Sequence, residues 1–241
     1  MNSEIKFKKC QFFLALFLII LISHSSCVSI TKLATGLKSP KVLSIDEIRE
    51  RTYHLFDNDS VIDLAFNSVK DSTEIIRIVS ESFNGQVNVF DSDGKKICFN
   101  GKSSCSAYQF SEIEKNGTSA FVDCDSTDFS NSDFNKLNNL LLKTIDIKTN
   151  KSYSLVDFQE YSYIFIYYWS DFISNSKNTV DDYIFFQSKL ELSDLNYTIL
   201  RVNCDLRDDW GLKKDGILKL NFTKKENRKY ELTYGKIPWK K

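Results

Sequence analysis

This chain of 241 residues is short of the residues that punctuate a fold and that ligate metals, with two prolines, eight glycines, two histidines and one methionine. Pro40 and Pro238 lie far apart and the glycines are scattered, so there is no low-complexity linker and no glycine-rich phosphate loop. His24 and His54 are too few for a histidine-rich zinc site and argue against a Ser-His-Asp triad. His54, between Tyr53 and Leu55, is expected to pack against a helix neighbour. Charge lacks a sign as well, since 32 Lys and Arg balance 32 Asp and Glu. No basic block stands out, which argues against a nucleic-acid surface. Asp91-Ser-Asp-Gly94 has the look of a calcium loop, but the twelfth position is Lys102 where a closing Glu is needed, so a hairpin turn is the expectation. Cys124-Asp-Ser-Thr-Asp128 and Cys204-Asp-Leu-Arg-Asp208 read as turns or helix caps after strands. No metal and no cofactor is expected.

Long apolar runs are missing too. The longest, Phe12 to Ile22, is about half of the roughly 20 residues that a membrane helix needs. Behind Lys6, Lys8 and Lys9 it reads as the core of an export signal spanning 1–26. Ser23-His24-Ser25-Ser26-Cys27 leaves two endings open. One is a lipoprotein signal with Cys27 as the lipidated residue, and the other is ordinary cleavage after Ser25. Losing 1–26 removes three lysines and one glutamate, so the remainder stays near neutral. The expected address is the bacterial cell envelope, as an outer-membrane lipoprotein facing the periplasm, or else secretion. The expected partners are the membrane, through the lipid, and a protein or peptide.

What the chain has in quantity is aromatic side chains, with 19 Phe and 11 Tyr, enough for a substantial core. They concentrate in Tyr163-Ile-Phe-Ile-Tyr-Tyr-Trp169, an apolar run ending in a polar corner, Ser170-Asp-Phe172-Ile173-Ser-Asn-Ser176. That is how a buried strand delivers its end to a loop in an open α/β sheet. Val180, Ile184 and Leu190 then recur at helical spacing, and Tyr197-Thr-Ile-Leu-Arg-Val-Asn203 alternates as a strand. Gly216–Phe222 and Lys229–Tyr234 read as a final antiparallel pair. Upstream stands Thr144-Ile-Asp-Ile…Ser154-Leu-Val-Asp-Phe158.

From about 141 to 236 this order resembles the thioredoxin-like superfamily, in its extracytoplasmic thiol–disulfide oxidoreductase and peroxiredoxin types. The strand and corner parallel that family's Phe-Trp-Ala-x-Trp-Cys-x-x-Cys. The resemblance implies an α/β fold (α+β overall), with a three-layer thioredoxin-like sheet at 141–241 beside a smaller α+β region. It also places Ile173 and Ser176 on the two cysteine positions and Leu218 where the family keeps a cis-proline. Neither Ile173 nor Ser176 can perform disulfide exchange, and Leu218 is expected behind a trans peptide. The family's closing helix is expected to be missing after Gly235. The expected function is therefore a binding or scaffolding module without dithiol catalysis. The alternative is a thiol–disulfide oxidoreductase using Cys98 with Cys105, or Cys204. An aromatic corner of Trp169 and Phe172 is a candidate ligand site, with Phe172 expected to be the more exposed.

Residues 27–43 are expected to form a tether and 44–140 a region of unknown type, either a separate domain or an extension of the C-terminal sheet. Ser44-Ile-Asp-Glu47 is a capping box for a helix to about Phe56. Asn58-Asp-Ser60 suggests a second helix through Val61, Leu64 and Val69. Thr73–Val79 is strand-like, Gln86–Phe90 and Lys96–Phe99 form a hairpin, and Phe134, Leu137 and Leu141 mark a helix. Cys98 and Cys105 flank a turn-rich loop and form a candidate disulfide in an oxidising compartment. Cys124 and Cys204 form a second conceivable pair, and the sequence does not choose among the pairings.

Overall fold

The structure, a computed structural model, describes residues 37–56, 61–69, 71–83, 87–100, 106–124, 136–173, 176–224 and 230–240. In chain order the elements are β1 (Val42–Leu43), α1 (Ile45–Leu55), β2 (Ile62–Phe66), α2 (Ser72–Glu81), β3 (Asn88–Asp91), β4 (Lys96–Phe99), α3 (Ser106–Asn116) and β5 (Phe121–Asp123). They continue with α4 (Leu137–Leu141), β6 (Thr144–Asp146), β7 (Tyr163–Trp169), α5 (Ser176–Glu191), β8 (Tyr197–Asn203), β9 (Leu206–Arg207), β10 (Leu220–Lys224) and β11 (Tyr230–Tyr234). The fold is α/β. A seven-stranded mixed sheet runs β5-β4-β3-β7-β8-β2-β6.

β7 is the spine of this sheet because it is apolar on both faces. Ile164 and Ile166 enter one core with Ile75, Ile78 and Val79 of α2 and Leu137, Leu140 and Leu141 of α4. Phe165 and Trp169 enter the other with Phe110 and Ile113 of α3 and Tyr183, Phe186 and Leu190 of α5. Such two-faced burial is what a central strand with a parallel neighbour requires. β8 lies parallel to β7 from Tyr163↔Tyr197 to Trp169↔Asn203, with α5 as the crossover.

The sheet takes strands from both halves of the chain. β2 lies parallel to β8, and β3 antiparallel to β7. Strands of the 44–140 region thus join the sheet that carries β7 and β8, the second of the two arrangements left open by the sequence. The C-terminal pair forms, Leu220 opposite Tyr234, but as a separate two-stranded sheet. The antiparallel strands beside β7 come instead from the upstream hairpin. There Gly94 takes φ +73°, and Asp91 closes the turn by accepting from the amides of Asp93 (3.1 Å) and Lys95 (2.8 Å).

Three local expectations also change. The helix expected after Ser60 is strand β2, whose backbone is claimed on one side by β8 and on the other by β6. The strand expected at 73–79 is helix α2. Asp71 caps it by accepting from the amides of Thr73 (2.8 Å) and Glu74 (3.0 Å), and Ile75, Ile78 and Val79 form its buried stripe. The tether is corrected at 37–43, where Val42 and Leu43 are fully buried and pair with Leu206 and Arg207. The capping box at Ser44 forms as expected, and α4 occupies the place marked by Leu137 and Leu141. The signal and Cys27 lie outside the described residues. Among the described residues no helix is long and apolar enough to cross a membrane.

Candidate functional site

The carboxyl ends of β7 and β8 are where an open parallel sheet offers its ligand crevice. Here that end is closed. Trp169 and Phe172 are 3% and 2% exposed, so the expectation of an exposed Phe172 is corrected. Phe172 packs on Phe83 with ring centroids 5.9 Å apart. Its carbonyl accepts from the Lys38 amide at 2.7 Å, because the 37–43 segment crosses this end. Ile173 is half-buried against the same core. Leu218 is fully buried behind a trans peptide, with its amide donating to the Pro40 carbonyl at 2.9 Å. Ser176 opens α5, and its side chain lies outside the described residues. The structure thus groups Phe172, Ile173 and Leu218 in one core at this end of the sheet, beside the N-terminal strap, while Trp169 packs into the opposite core against Phe56.

Polar groups gather at this end, among them Asp205, which the sequence marks only as a turn or cap residue. Asp205 is buried after β8. Its two carboxylate oxygens accept from the Asp171 amide at 3.2 and 3.1 Å, and one accepts from Asn203 Nδ2 at 2.8 Å. The Asp205 amide donates back to Asn203 Oδ1 at 3.0 Å. Burial pushes the Asp205 pKa up to about 6, against the opposing pull of the Asn203 and Asp171 donors. Asp171 carries the network outward through an ion pair with Arg51 of α1, with Lys38 at 3.9 Å. Trp169 Nε1 and Ser170 Oγ are buried here without a hydrogen-bond partner. The sequence signal for this network was the pair of Asp residues following two adjacent strand ends, which read only as turn formers.

A carboxyl raised in this way disfavours its own charged form, so its contribution to stability falls as pH rises from about 3.8 to about 6. Asp205→Asn should erase that dependence. Between pH 4 and pH 7 the stability difference between variant and natural chain should move in the variant's favour by up to about 3 kcal/mol. Urea denaturation at the two pH values measures it, and an unchanged difference would show that Asp205 titrates normally.

Deeper on the same face, Asp63 and Arg201 form a fully buried pair. Arg201 Nε and Nη2 donate to the two Asp63 oxygens at 2.6 and 2.7 Å. The guanidinium lies 4.3 Å from the Phe56 ring centroid and 5.0 Å from that of Tyr183. His54, by contrast, is exposed, with Nε2 3.8 Å from Glu50, and the expected packing role is corrected.

The described cysteines form one bonded pair and one buried thiol. Cys98 is bonded to Cys124, which corrects the expected Cys98–Cys105 pair, and Cys105 lies outside the described residues. The register explains the choice: Cys98 sits opposite Val122 in the β4–β5 ladder, bringing Cys124 to a Cα separation of 4.9 Å. Cys204 is free and fully buried, so it does not pair with Cys124, and burial holds its thiol well above the usual range. A protonated, enclosed thiol is a poor nucleophile. Among the described residues no cluster of three or more His, Cys, Asp or Glu is arranged to hold a metal.

An open cleft of about 420 Å³ lies at the other end of β7. Ile97, Phe121 and Tyr163 line it together with Asp91, Asp123 and Glu160. The rings of Phe121 and Tyr163 are 5.0 Å apart. Aromatic faces next to carboxylates suit a cation carried on an apolar body. No protein family, no curated protein and no solved structure matches this chain.

Proposed function

We propose that the chain is an exported, lipid-anchored protein of thioredoxin-like architecture that binds or scaffolds a partner and performs no dithiol catalysis. The observation that carries this reading is the closed corner after β7. Ile173, which the resemblance aligns with one cysteine position, packs on the core, Leu218, which it aligns with the proline position, is buried, and the 37–43 strap bonds to Phe172 and Leu218. Support for the architecture comes from β7, α5 and β8, two parallel neighbours joined by a helix, with β2 parallel on the far side. The antiparallel pair beside β7 departs from that likeness by coming from upstream in the chain. Support for export comes from an oxidised Cys98–Cys124 pair, which cytosolic conditions disfavour. The cleft near Tyr163, with its carboxylates, is the opening a cationic partner segment fits.

Insulin-disulfide reduction in dithiothreitol tests the absence of catalysis. The chain should not raise the rate above the reductant alone. Catalysis that disappears in Cys98→Ser or Cys204→Ser would overturn the reading in favour of a relocated thiol enzyme.

A further inference from the structure

We propose that the end of the molecule built from residues 211–219 and 236–240 is a docking face for an anionic lipid surface. The chain as a whole is electrically balanced, but its charge is unevenly spread. From Gly211 to Lys241 there are nine Lys and Arg228 against Asp215, Glu226 and Glu231. These lysines are dispersed in the sequence, and the fold gathers several of them. The Lys213 amide donates to the Pro238 carbonyl at 2.7 Å, the Gly216 amide to Lys213 at 2.8 Å, and the Lys240 amide to Gly211 at 2.9 Å. The first and third of those bonds clamp the two segments together. Lys213, Lys214, Lys219, Lys236 and Lys240 are exposed around them. Asp215 is paired with Lys41 at 2.8 Å.

Two large apolar side chains stand out among these ammonium groups, Ile217 at 55% exposure and Trp239 at 38%. Exposed Trp beside Lys is the composition that a bilayer interface selects. The indole settles at headgroup depth while the lysines meet anionic phosphates. A nucleic acid would use the lysines but gain little from a lone Ile and Trp.

The path of the chain supplies a second argument. The Val42 amide donates to the Gly216 carbonyl at 2.8 Å, the Asp215 amide to Val42 at 3.3 Å, and Lys41 bridges Ile217. The strap, which meets Phe172 at Lys38, therefore runs on to pack against this same end at Lys41 and Val42. Ten residues from Cys27 to Leu37 reach at most about 35 Å. On the lipid-anchor reading, on which this orientation rests, a lipidated Cys27 keeps this face close to the bilayer. The affinity of the face itself does not need the lipid.

The test is flotation of the processed, unacylated chain from Val28 with two kinds of vesicle. One is phosphatidylcholine alone, and the other is phosphatidylcholine with phosphatidylglycerol at a ratio of about 3:1, where Lys-driven binding is expected. The chain should float with the anionic vesicles, not with the neutral ones, and 0.5 M salt, on the order of several times physiological, should release it. Lys213→Glu with Lys214→Glu should weaken partition by about tenfold or more. Trp169 and Trp210 are buried, so a blue shift of fluorescence on binding reports Trp239 and should vanish in Trp239→Ala. Equal partition into both vesicle types, or no effect of the charge reversals, would overturn the proposal. Binding to duplex DNA as tight as to anionic vesicles would do the same. Mass spectrometry of Cys27 in envelope-extracted protein judges the anchor separately: an unmodified Cys27 would sink the anchor and leave the vesicle result standing.

Discussion

Arg201→Met is expected to destabilise the protein by about 3–5 kcal/mol at neutral pH, lowering the melting temperature by roughly 6–20 °C. Both members of the pair are wholly buried, and Arg201 gives Asp63 two charge-assisted bonds at 2.6 and 2.7 Å. Without the guanidinium, Asp63 keeps Lys148 at 3.7 Å and nothing else of opposite charge at close range among the described residues. The buried carboxylate must then stay charged at high cost or take a proton. Burial already raises the Asp63 pKa, with Arg201 the main opposing influence. Removing Arg201 raises it further, so the loss should be largest above that pKa and should shrink as the solution is acidified. The double variant Asp63→Leu, Arg201→Met should recover most of the stability, because an apolar pair of similar volume avoids both desolvation penalties. Denaturation of the two variants at pH 4.5 and 7.5, on the order of three pH units apart, separates the outcomes. A single variant as stable as the natural chain would mean that water reaches Asp63.

This pair also explains which parts of the fold the sequence reveals. β7 and β8 are legible because their apolar runs are long and bounded, and α1 because Ser44 and Glu47 form a reciprocal cap. The hairpin at Asp91–Gly94 is legible because its turn requires a residue with positive φ. β2 is hidden by Asp63, whose charge breaks an apolar strand and is answered from Arg201 and Lys148, both far along the chain. α2 is hidden by its β-branched residues, since Ile75, Ile76 and Ile78 look like a strand until Asp71 is recognised as its cap. Long-range placement is not legible at all. Nothing near Val89 announces that it lies opposite Phe165, and nothing near Lys38 announces that it covers Phe172. For the same reason the corner after Trp169 reads as open and is shut. The Asp205 network was likewise out of reach, because it joins Arg51, Asp171 and Asn203 from three separate elements.

Loss of the Cys98–Cys124 bond is expected to cost about 3.5 kcal/mol, from the entropy regained by the unfolded chain. The bond closes a loop with a sequence separation of 26, which carries α3 and β5. β5 is one of the two edge strands of the sheet and has only three residues, paired to β4 at Phe121, Val122 and Asp123. So short an edge has little else to hold it beyond Phe121, packed against Phe99 and Tyr163. Cys98→Ser with Cys124→Ser should therefore loosen the sheet from this edge inward. Amide hydrogen exchange should quicken first at Ile97–Phe99 and Phe121–Asp123, while β7 and β8 keep their protection. Non-reducing peptide mapping gives the direct check. A peptide linking Cys98 to Cys124 is required, and a Cys98–Cys105 link would refute the register that brings β5 to the edge. The bond also bears on the chemistry, because it leaves Cys204 as the free thiol among the described residues, sealed in the core. A sheet edge held by a disulfide that resists glutathione would be structural. One that exchanges readily in a glutathione buffer would return the relocated-enzyme reading to contention.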